Sequence, residues 1–579
     1  MKYKLIGNND FVFSPLKTIL KNRGIEDIEG FLSLSDDAVN HYSNLINIDE
    51  AAECLLKHLR RKARIFIQVD SDVDGVTSSS IIINYIKRVF PEANLEWRMH
   101  EGKQHGIILE TIPEGVDLVL IPDAGSNQFE EHFVLRQKGI DVIVIDHHEC
   151  DEESRNAIVV NNQLSPKYKN KALTGAGMAY KLCQALDDKL GKNEAKRFID
   201  LVSVGNIADS ADSREPETRY YMNQGLKKVR NPLIKELFVK QAYSTKGKKN
   251  IQNTQFYINP LINAAIRIGS QEEKDQMMRS LLESNEEIYY KKRGKNEREL
   301  VSIHWDTARV LGNIKQRQKK LVDSAVSEIE ERIEEKGLLK NKILIVYVEG
   351  ILNKNLTGLV ANQLAGEYKR PVLLARELED GTLGGSGRGY DKGAVKNFKQ
   401  LLEETGKFEF VEGHAEAFGF SITPENLIQV NEILNHKLKD IVINQNEYEV
   451  DFEIAADNLT ERFIKLINSY QDYWGYKVEE PLLAITDIEI NKEDISHIGK
   501  KTKNTVKFKV GGIEYMKFKS DEEFYESLVN RGDRLVLTVI GKAKVNEYKG
   551  KETPQIEIEE MEVVKAKKKY LFFKWEGML

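Results

Sequence analysis

The sequence predicts an α/β protein of several domains that ends in a small β-barrel or sandwich. Two stretches of strand–helix alternation and a late change to closely spaced strands carry this prediction. Short continuous Val/Ile runs between helical patterns mark parallel strands buried on both faces, and their alternation with helices builds an open sheet. At roughly 100–200 residues per domain, 579 residues make three or four domains.

The first 60 residues alternate polar turns with helical patterns such as DEAAECLLKHLRRK (49–62). The first α/β rhythm is ARIFIQV (63–69), a helical SSSIIINYIKRVF (78–90), VDLVLI (116–121), a helical FEEHFVLRQKG (129–139) and DVIVID (141–146). Helical patterns continue to about 230 and give way to a Lys/Gly/Asn-rich loop (244–253). Residues 297–336 hold no Pro and one Gly (Gly312), with apolar residues near helical spacing. They predict a long helix that either joins two lobes or lies on the surface of one. A second α/β unit opens at KILIVYV (342–348) and runs to about 440. Five or six short strands follow, from EYEVDFEI (447–454) to QIEIEEMEVV (555–564). From Asn491 to Leu579, 19 Lys/Arg stand against 15 Asp/Glu, reversing the sign of the whole chain.

That whole chain carries 85 Lys/Arg and 91 Asp/Glu, a formal charge of −6, which excludes a uniformly basic nucleic-acid coat but not a local basic groove. Cys54, Cys150 and Cys183 form no CxxC pair, so neither a disulfide framework nor a Cys-rich zinc site is expected, and a reducing, cytoplasmic compartment fits. MKYKLIGNNDFVF lacks the apolar core of a signal peptide, and no run of 18 apolar residues predicts a membrane span.

Four acidic clusters are expected at strand ends of the first α/β unit, where such sheets hold their ligands. They are Asp70-Ser71-Asp72-Val73-Asp74-Gly75, Asp123 in IPDAGS, Asp146-His147-His148, and Asp209 after the apolar stretch IDLVSVGNIA. Each has an ordinary alternative. Asp-x-Asp-x-Asp-Gly opens calcium loops, but position 12 is Ile81 and a strand precedes it. A lone Asp after a strand is usually a helix N-cap. Adjacent carboxylates repel unless cations or protons intervene, so four clusters on one sheet point to metals. Oxygen ligands with one or two imidazoles suit two Mg²⁺ or Mn²⁺ ions, which at about 3.5–4 Å separation activate water for phosphoester or phosphoanhydride hydrolysis.

In its motifs the sequence resembles the DHH phosphoesterase superfamily, and within it the RecJ exonucleases. The motifs are QVDSDVDGVTSSS (68–80), IPDAGSNQ (121–128), VIVIDHHE (142–149) and VGNIADSADS (204–213). LTGAGMAYKL (173–182), NPLINAAIRIG (259–269) and GLVANQLAGEYKRPV (358–372) extend the likeness, and GGSGRG (384–389) with EGHAEAFGF (412–420) is similar to a DHHA1 domain. The resemblance implies a DHH-type parallel-sheet catalytic domain (61–296) carrying an N-terminal helical segment (1–60). A long helix (297–336), a DHHA1 α/β domain (337–442), an OB-fold β-barrel (443–565) and a basic, aromatic tail (566–579) follow. It also implies that Asp72, Asp74, Asp123, His147 and Asp209 ligate two ions, with Asp123 bridging. Asp70 and Asp146 would orient those ligands, and His148 would touch the scissile phosphate or leaving oxygen. Ser386 and Arg388 match a terminal-phosphate pocket, Arg267 a phosphate-contacting arginine and His414 the histidine of a GGH-like motif. A further arginine falls on Arg98, or its place is taken by His100. The chain departs from the family pattern at Gly387, Gly389, Glu412, Thr218 and YWGYKVEEP (473–481).

The implied activity is 5′→3′ digestion of single-stranded DNA to 5′-mononucleotides, in repair and recombination. A monomer would work with a single-strand-binding protein and a helicase, away from any membrane. Tyr515, Phe518, Tyr548, Lys517, Lys519, Lys549 and Lys551 are candidate DNA contacts on the barrel. Two competing readings are a DHH enzyme of small phosphoesters and a scaffold that has lost its metals.

Overall fold

The computed structural model describes residues 1–567 apart from 103, 293, 295, 296 and 500–503, so most of the tail expected at 566–579 lies outside the described residues. The first α/β unit holds five parallel strands in the order Leu95–Met99, Ile65–Val69, Leu118–Pro122, Asp141–Asp146, Ile158–Asn161. Three of these, Ile65–Val69, Leu118–Pro122 and the apolar part of Asp141–Asp146, are buried along their length, as continuous aliphatic runs require. Ile65–Val69 sits between the strand that follows it and Leu118–Pro122, so the chain reverses direction across the sheet beside it. The crevice beyond the carboxyl ends of two such strands is where ligands bind open α/β sheets. Asp70–Asp74 and Asp123 leave from those two ends.

Asp209 does not follow a strand. IDLVSVGNIA forms the helix Ile199–Ala208, with Asp209 at its C-cap. The helix is buried on almost every side against Val73–Val89, Gly175–Leu190 and Pro216–Lys227, which removes the polar stripe that would have announced it.

The long helix spans Ile303–Glu335, with Ser302 Oγ capping the Trp305 N–H. Residues 297–302, expected inside it, instead complete an antiparallel hairpin of Glu287–Lys291 with Arg298–Ser302. One end of the helix enters the core of the first unit through Ala308, Leu311 and Ile314; the other enters that of the second through Val322, Ala325, Val326, Ile329 and Ile333. It therefore joins two lobes. The second lobe carries a mixed five-stranded sheet in the order Phe410–His414, Ala417–Ile422, Leu383–Arg388, Val372–Glu377, Leu344–Tyr347. The strand-rich part forms one seven-stranded mixed sheet around its own core, with Trp474, Phe452, Leu483 and Leu537 buried in it.

Residues 1–60 do not pack as one unit. Ile48–Arg60 joins the core of the first lobe, but Ile19, Leu20, Ile25 and Phe31 belong to the core of the strand-rich unit. Strand Lys2–Leu5 pairs in parallel with Glu447–Val450. Arg23 completes the attachment, its guanidinium 2.9 Å from the buried Asp451 carboxylate and donating to the Glu479 carbonyl at 2.7 Å.

Candidate metal centre

Four segments converge on the crevice, each held by its own local structure. Asp72 caps the helix Val73–Val89, its Oδ1 accepting from the Gly75 N–H at 2.8 Å. Asp74 lies two residues on and is buried. Its carboxylate accepts from the Gly175 and Ala176 N–H groups at 2.7 and 3.0 Å, the free donors of a helix N-terminus, and from Thr174 Oγ1 at 2.9 Å. Asp123 adopts a left-handed backbone, φ +69°, an unfavourable state for a non-glycine residue that persists when surroundings enforce it. The bond from its N–H to the Ile145 carbonyl, 2.7 Å, is part of that enforcement.

His147 Nε2 is the hub: 3.2 Å from Asp123 Oδ1, and 3.8 Å from both Asp74 Oδ2 and Asp209 Oδ2. Burial lowers its pKa despite the Asp74 charge, so at neutral pH the imidazole is neutral, the form that can ligate a metal. Ligand atoms of Asp70, Asp72 and Asp123 lie within 4.8 Å of one another, as do those of Asp123, His147 and His148 and of Asp74, His147 and Asp209. Asp123 belongs to two of these groups. Its Oδ1 is buried with no hydrogen-bond donor. Burial and the neighbouring carboxylates push its pKa well above the usual range, and push Asp72 up to about 6 and Asp209 up to about 8. An unsatisfied, crowded oxygen set with one neutral imidazole fits hard divalent ions, which would remove both penalties.

Asp146 has another function. Burial would raise its pKa, yet it is held far below the carboxylate range by His148, whose Nδ1 lies at 2.7 Å and whose charge adds to that bond, and by Ser126. It also accepts from the N–H groups of Ser126, His147 and His148. Burial works against a charged His148, but the Asp146 carboxylate, with Asp209 and Asp72 beyond, outweighs it and raises that imidazole to about 9. His148 is therefore a cation at neutral pH, poised beside a neutral His147.

Two glycines let helices approach this closely. A Cβ on Gly175 would collide with Asp123 Oδ1, and one on Gly205 with Asp74 Oδ1. Asp70 is buried beside Asp72 and Asp123 and is also held from outside the cluster, accepting from His105 Nδ1 at 2.7 Å and the Gly106 N–H at 3.1 Å. His105, Thr174 and Asn206, whose Oδ1 lies 2.8 Å from Thr174 Oγ1, are site residues that no spacing rule singled out. The Thr-Gly pair ahead of a helical pattern was the available signal, an N-cap.

Arg98 is not brought to the centre. It is exposed and pairs with Glu101 at 3.2 Å, while buried His100 lies 3.6 Å from Asp70. Of the two candidates, His100 is the one whose side chain lies beside the carboxylates. Arg267 ends the helix Asn259–Ile268, close enough to Asp72 and Arg388 for each to feel its charge. Lys315 of the long helix faces the same arginine; burial, then Arg267, lower its pKa. Arg317 fixes that register by donating to the Ile268 carbonyl at 3.2 Å. Asn355 spans the lobes, donating to the Arg267 carbonyl at 3.0 Å. Ser386 is buried on the strand that carries Arg388, whose guanidinium packs over Gly358. At Gly389, one of the departures from the family pattern, a Cβ would meet the Glu416 carboxylate. His414 is exposed at a strand end, and among the described residues no hydrogen bond ties it to the carboxylates.

On the barrel, Tyr515 is core, 1 % exposed and stacked on Phe508, and Lys517 Nζ is spent on the Glu559 carbonyl at 2.6 Å; neither is a free contact. Phe518, Lys519, Tyr548, Lys549 and Lys551 are exposed, with Lys549 and Lys551 at the tip of the long Arg534–Lys567 ribbon. A separate grouping of Cys54, His58 and Asp141 is structural: His58 Nε2 binds Asp141 at 2.9 Å and its Nδ1 lies 2.9 Å from Arg61.

The family model for the DHH family, N-terminal domain, matches residues 64–206, and that for the RecJ OB domain matches 450–560. An SPbeta prophage-derived protein of Bacillus subtilis (strain 168), YorK, is 64% identical over 576 residues, covering 99% of this chain and all of its own. Its name assigns it, provisionally, as a single-strand DNA-specific exonuclease. The chain belongs to the RecJ family. The RecJ exonuclease of the same bacterium is 26% identical over 566 residues, which cover 94% of this chain and 67% of that protein. Among solved structures, RecJ from Thermus thermophilus in complex with Mn²⁺ superposes with a TM-score of 0.71 at 21% identity, covering 96% of this chain and 76% of that one. That likeness extends the RecJ fold over both lobes and the barrel. No helix among the described residues is long and apolar enough to cross a membrane.

Proposed function

We propose that this RecJ-family protein is a divalent-metal-dependent exonuclease that digests single-stranded DNA in the 5′→3′ direction to 5′-mononucleotides. The observation that carries the reading is the convergence of Asp72, Asp74, Asp123, His147 and Asp209 around the buried, donor-free Asp123 Oδ1. These five residues would hold two Mn²⁺ or Mg²⁺ ions, with Asp123, common to two ligand groups, between them. When bound, such a pair neutralises phosphate charge and activates the attacking water.

The chain supplies the rest. Arg267 and Arg388 grip phosphate oxygens beside the carboxylates, where a guanidinium fork makes paired charge-assisted bonds. His148, cationic and oriented through Nδ1 by Asp146, presents Nε2 as the proton donor to the departing oxygen. Asp70, clamped by His105 and Gly106, fixes the loop that carries Asp72. The proposed division is a catalytic domain at 61–296, followed after the hairpin by the interlobe helix Ile303–Glu335, a substrate-binding lobe at 337–442 and an OB-type domain at 443–565. The cellular reading is a monomer in the cytoplasm, acting in repair and recombination with a single-strand-binding protein and a helicase.

Product mapping on end-labelled strands tests this, with 5′-phosphate, 5′-hydroxyl and duplex arms. The expected result is Mn²⁺-dependent release of 5′-mononucleotides from the 5′ end of single strands alone. Comparable cutting of duplex, or activity confined to dinucleotides and other small phosphoesters, would overturn it.

A further inference from the structure

Arg219, near the start of the helix Pro216–Lys227, is buried without a counter-charge. It is 1 % exposed, and burial lowers its pKa to about 10 against the pull of Tyr473. Buried cations are normally paired, because a lone charge in a low-dielectric interior is strongly disfavoured. Here the neighbouring carboxylate is committed elsewhere: Glu217 holds Lys181 at 2.7 Å and accepts from Asn40, Tyr168 and Asn170. Among the described residues no carboxylate pairs with the Arg219 guanidinium. Its partners are two rings and one carbonyl. The Phe31 and Tyr473 ring centroids lie 3.9 and 5.4 Å from its central carbon, and one terminal nitrogen donates to the Tyr473 carbonyl at 3.0 Å. Rings this close cover a guanidinium's face and leave its edge to meet an anion. On that edge the Nε–H is buried with no acceptor.

The same arginine lines a cavity of about 290 Å³. Lys227 and Lys249 line it too, both exposed and, among the described residues, in no ion pair. One carboxylate stands against these three cations, that of Asp472, which is exposed and accepts from Asn250 Nδ2 at 3.2 Å. The remaining wall is apolar and aromatic, with Leu32, Leu34, Tyr220 and Tyr473 among its residues. Amides of Asn223 and Gln224 complete it and supply both donors and acceptors. None of the metal-centre carboxylates lines the cavity, nor do His147, Arg267, Arg388 or Lys315, so it is a place apart from the crevice. Its volume falls at the lower end for small-ligand clefts, too little for a strand. Clustered cations suit a phosphate dianion, a flat apolar wall suits a base, and the amides suit the polar edge of that base.

We infer that this cavity binds a free nucleoside 5′-monophosphate, its phosphate on Arg219, Lys227 and Lys249 and its base on the wall of Leu32, Leu34 and Tyr473. Occupancy supplies the buried guanidinium with the counter-charge it lacks. It also joins three separate parts of the chain, since Phe31, Arg219 and Tyr473 come from the N-terminal segment, the first lobe and the turn after Glu461–Ser469. Molecules of this class are what the proposed exonuclease releases, so the inference rests on that reading for the source of its ligand, though not for the chemistry of the site.

The test is isothermal titration of the full chain in EDTA with dAMP, inorganic phosphate and deoxyadenosine. One dAMP per chain should bind with a dissociation constant of about 1 mM or lower, and the other two at least about tenfold more weakly. K227A/K249A alters exposed side chains alone and should weaken dAMP by about tenfold or more, as the loss of charge-assisted bonds requires. R219K keeps the charge but loses the planar fork and should weaken it by a similar factor, its ligand-free thermal melt reporting whether the fold is kept. R388A, in the crevice, should bind dAMP within about twofold of wild type. Absence of saturation by about 10 mM dAMP would overturn the inference. So would phosphate binding as tightly as dAMP, or an affinity that follows R388A and not K227A/K249A. Failure of the exonuclease reading shows separately, as no Mn²⁺-dependent release of mononucleotides from single strands, a result on which the titration does not depend.

Discussion

At Asp123 three conditions meet: a left-handed backbone, a buried carboxylate and an oxygen without a donor. Their joint consequence is that the metal-free protein is destabilised at its own active site. Asp123 is raised well above the ordinary aspartate pKa and Asp209 to about 8, so the folded state binds more protons than the unfolded chain above about pH 4. The stability these groups contribute is complete below that pH and is lost as pH rises through their folded values. Asp72 and Asp209 open onto the crevice, where solvent screens them, so the buried Asp123 dominates. Thermal melts in EDTA should therefore show a midpoint that falls between about pH 4 and 8, with Mn²⁺ restoring it at the upper end. A flat profile would contradict this. Asp123→Asn should melt higher than wild type in EDTA, gain nothing from Mn²⁺, and lose hydrolysis by at least about a thousandfold, since the charge proposed to bridge the ions goes with it.

Helix placement decides the site as much as ligand identity does. The helix beginning at Gly175 points its free N–H groups at Asp74 only because residue 175 has no side chain to strike Asp123. Gly175→Ala should cost about 10–100-fold in Mn²⁺ affinity, read by calorimetric titration, while secondary structure is retained. Unchanged affinity would mean the helix can retreat without moving the carboxylates. What could be read in advance follows the same logic. Ile65–Val69, Leu118–Pro122 and Asp141–Asp146 are legible because doubly covered strands must be aliphatic throughout, and the acidic residues after two of them stand out against that background. Ile199–Ala208 reads the same way for the opposite reason: a helix enclosed by three others is also aliphatic throughout, so Asp209 looks like another strand-end carboxylate. The hairpin at 287–302 is hidden by charge, since neither of its strands has a buried residue to mark an alternation. His105 and Asn206 could not be found from spacing, because each acts through one hydrogen bond made only after folding.

Across the whole molecule the body is acidic, and three cations stand beside the carboxylates of the crevice: Arg267, Arg388 and Lys315, drawn from the first lobe, the second lobe and the helix between them. Binding by about three phosphate contacts should weaken about tenfold to twentyfold between 50 and 200 mM salt. A KM for single strands independent of salt would place the affinity elsewhere. The strand-rich unit is built from both ends of the chain. Arg23→Ala leaves the Asp451 carboxylate, 1 % exposed, without its cation, a loss of about 3–5 kcal/mol that urea denaturation should register. No local pattern announces such a partnership, because the residues that complete the barrel core at Ile19, Leu20, Ile25 and Phe31 precede it by more than 400 positions.

The parallel pairing of Lys2–Leu5 with Glu447–Val450 also sets an order of events on the ribosome. The segment behind that strand is left holding an apolar face, at Ile19, Leu20, Ile25 and Phe31, whose mate emerges on the order of half a minute later, at the usual 5–20 residues per second. Both lobes can close during that interval, whereas the barrel cannot. A chain stalled or cleaved before residue 450 would thus carry folded catalytic machinery and a sticky, orphaned leader, the form of this protein most in need of a chaperone.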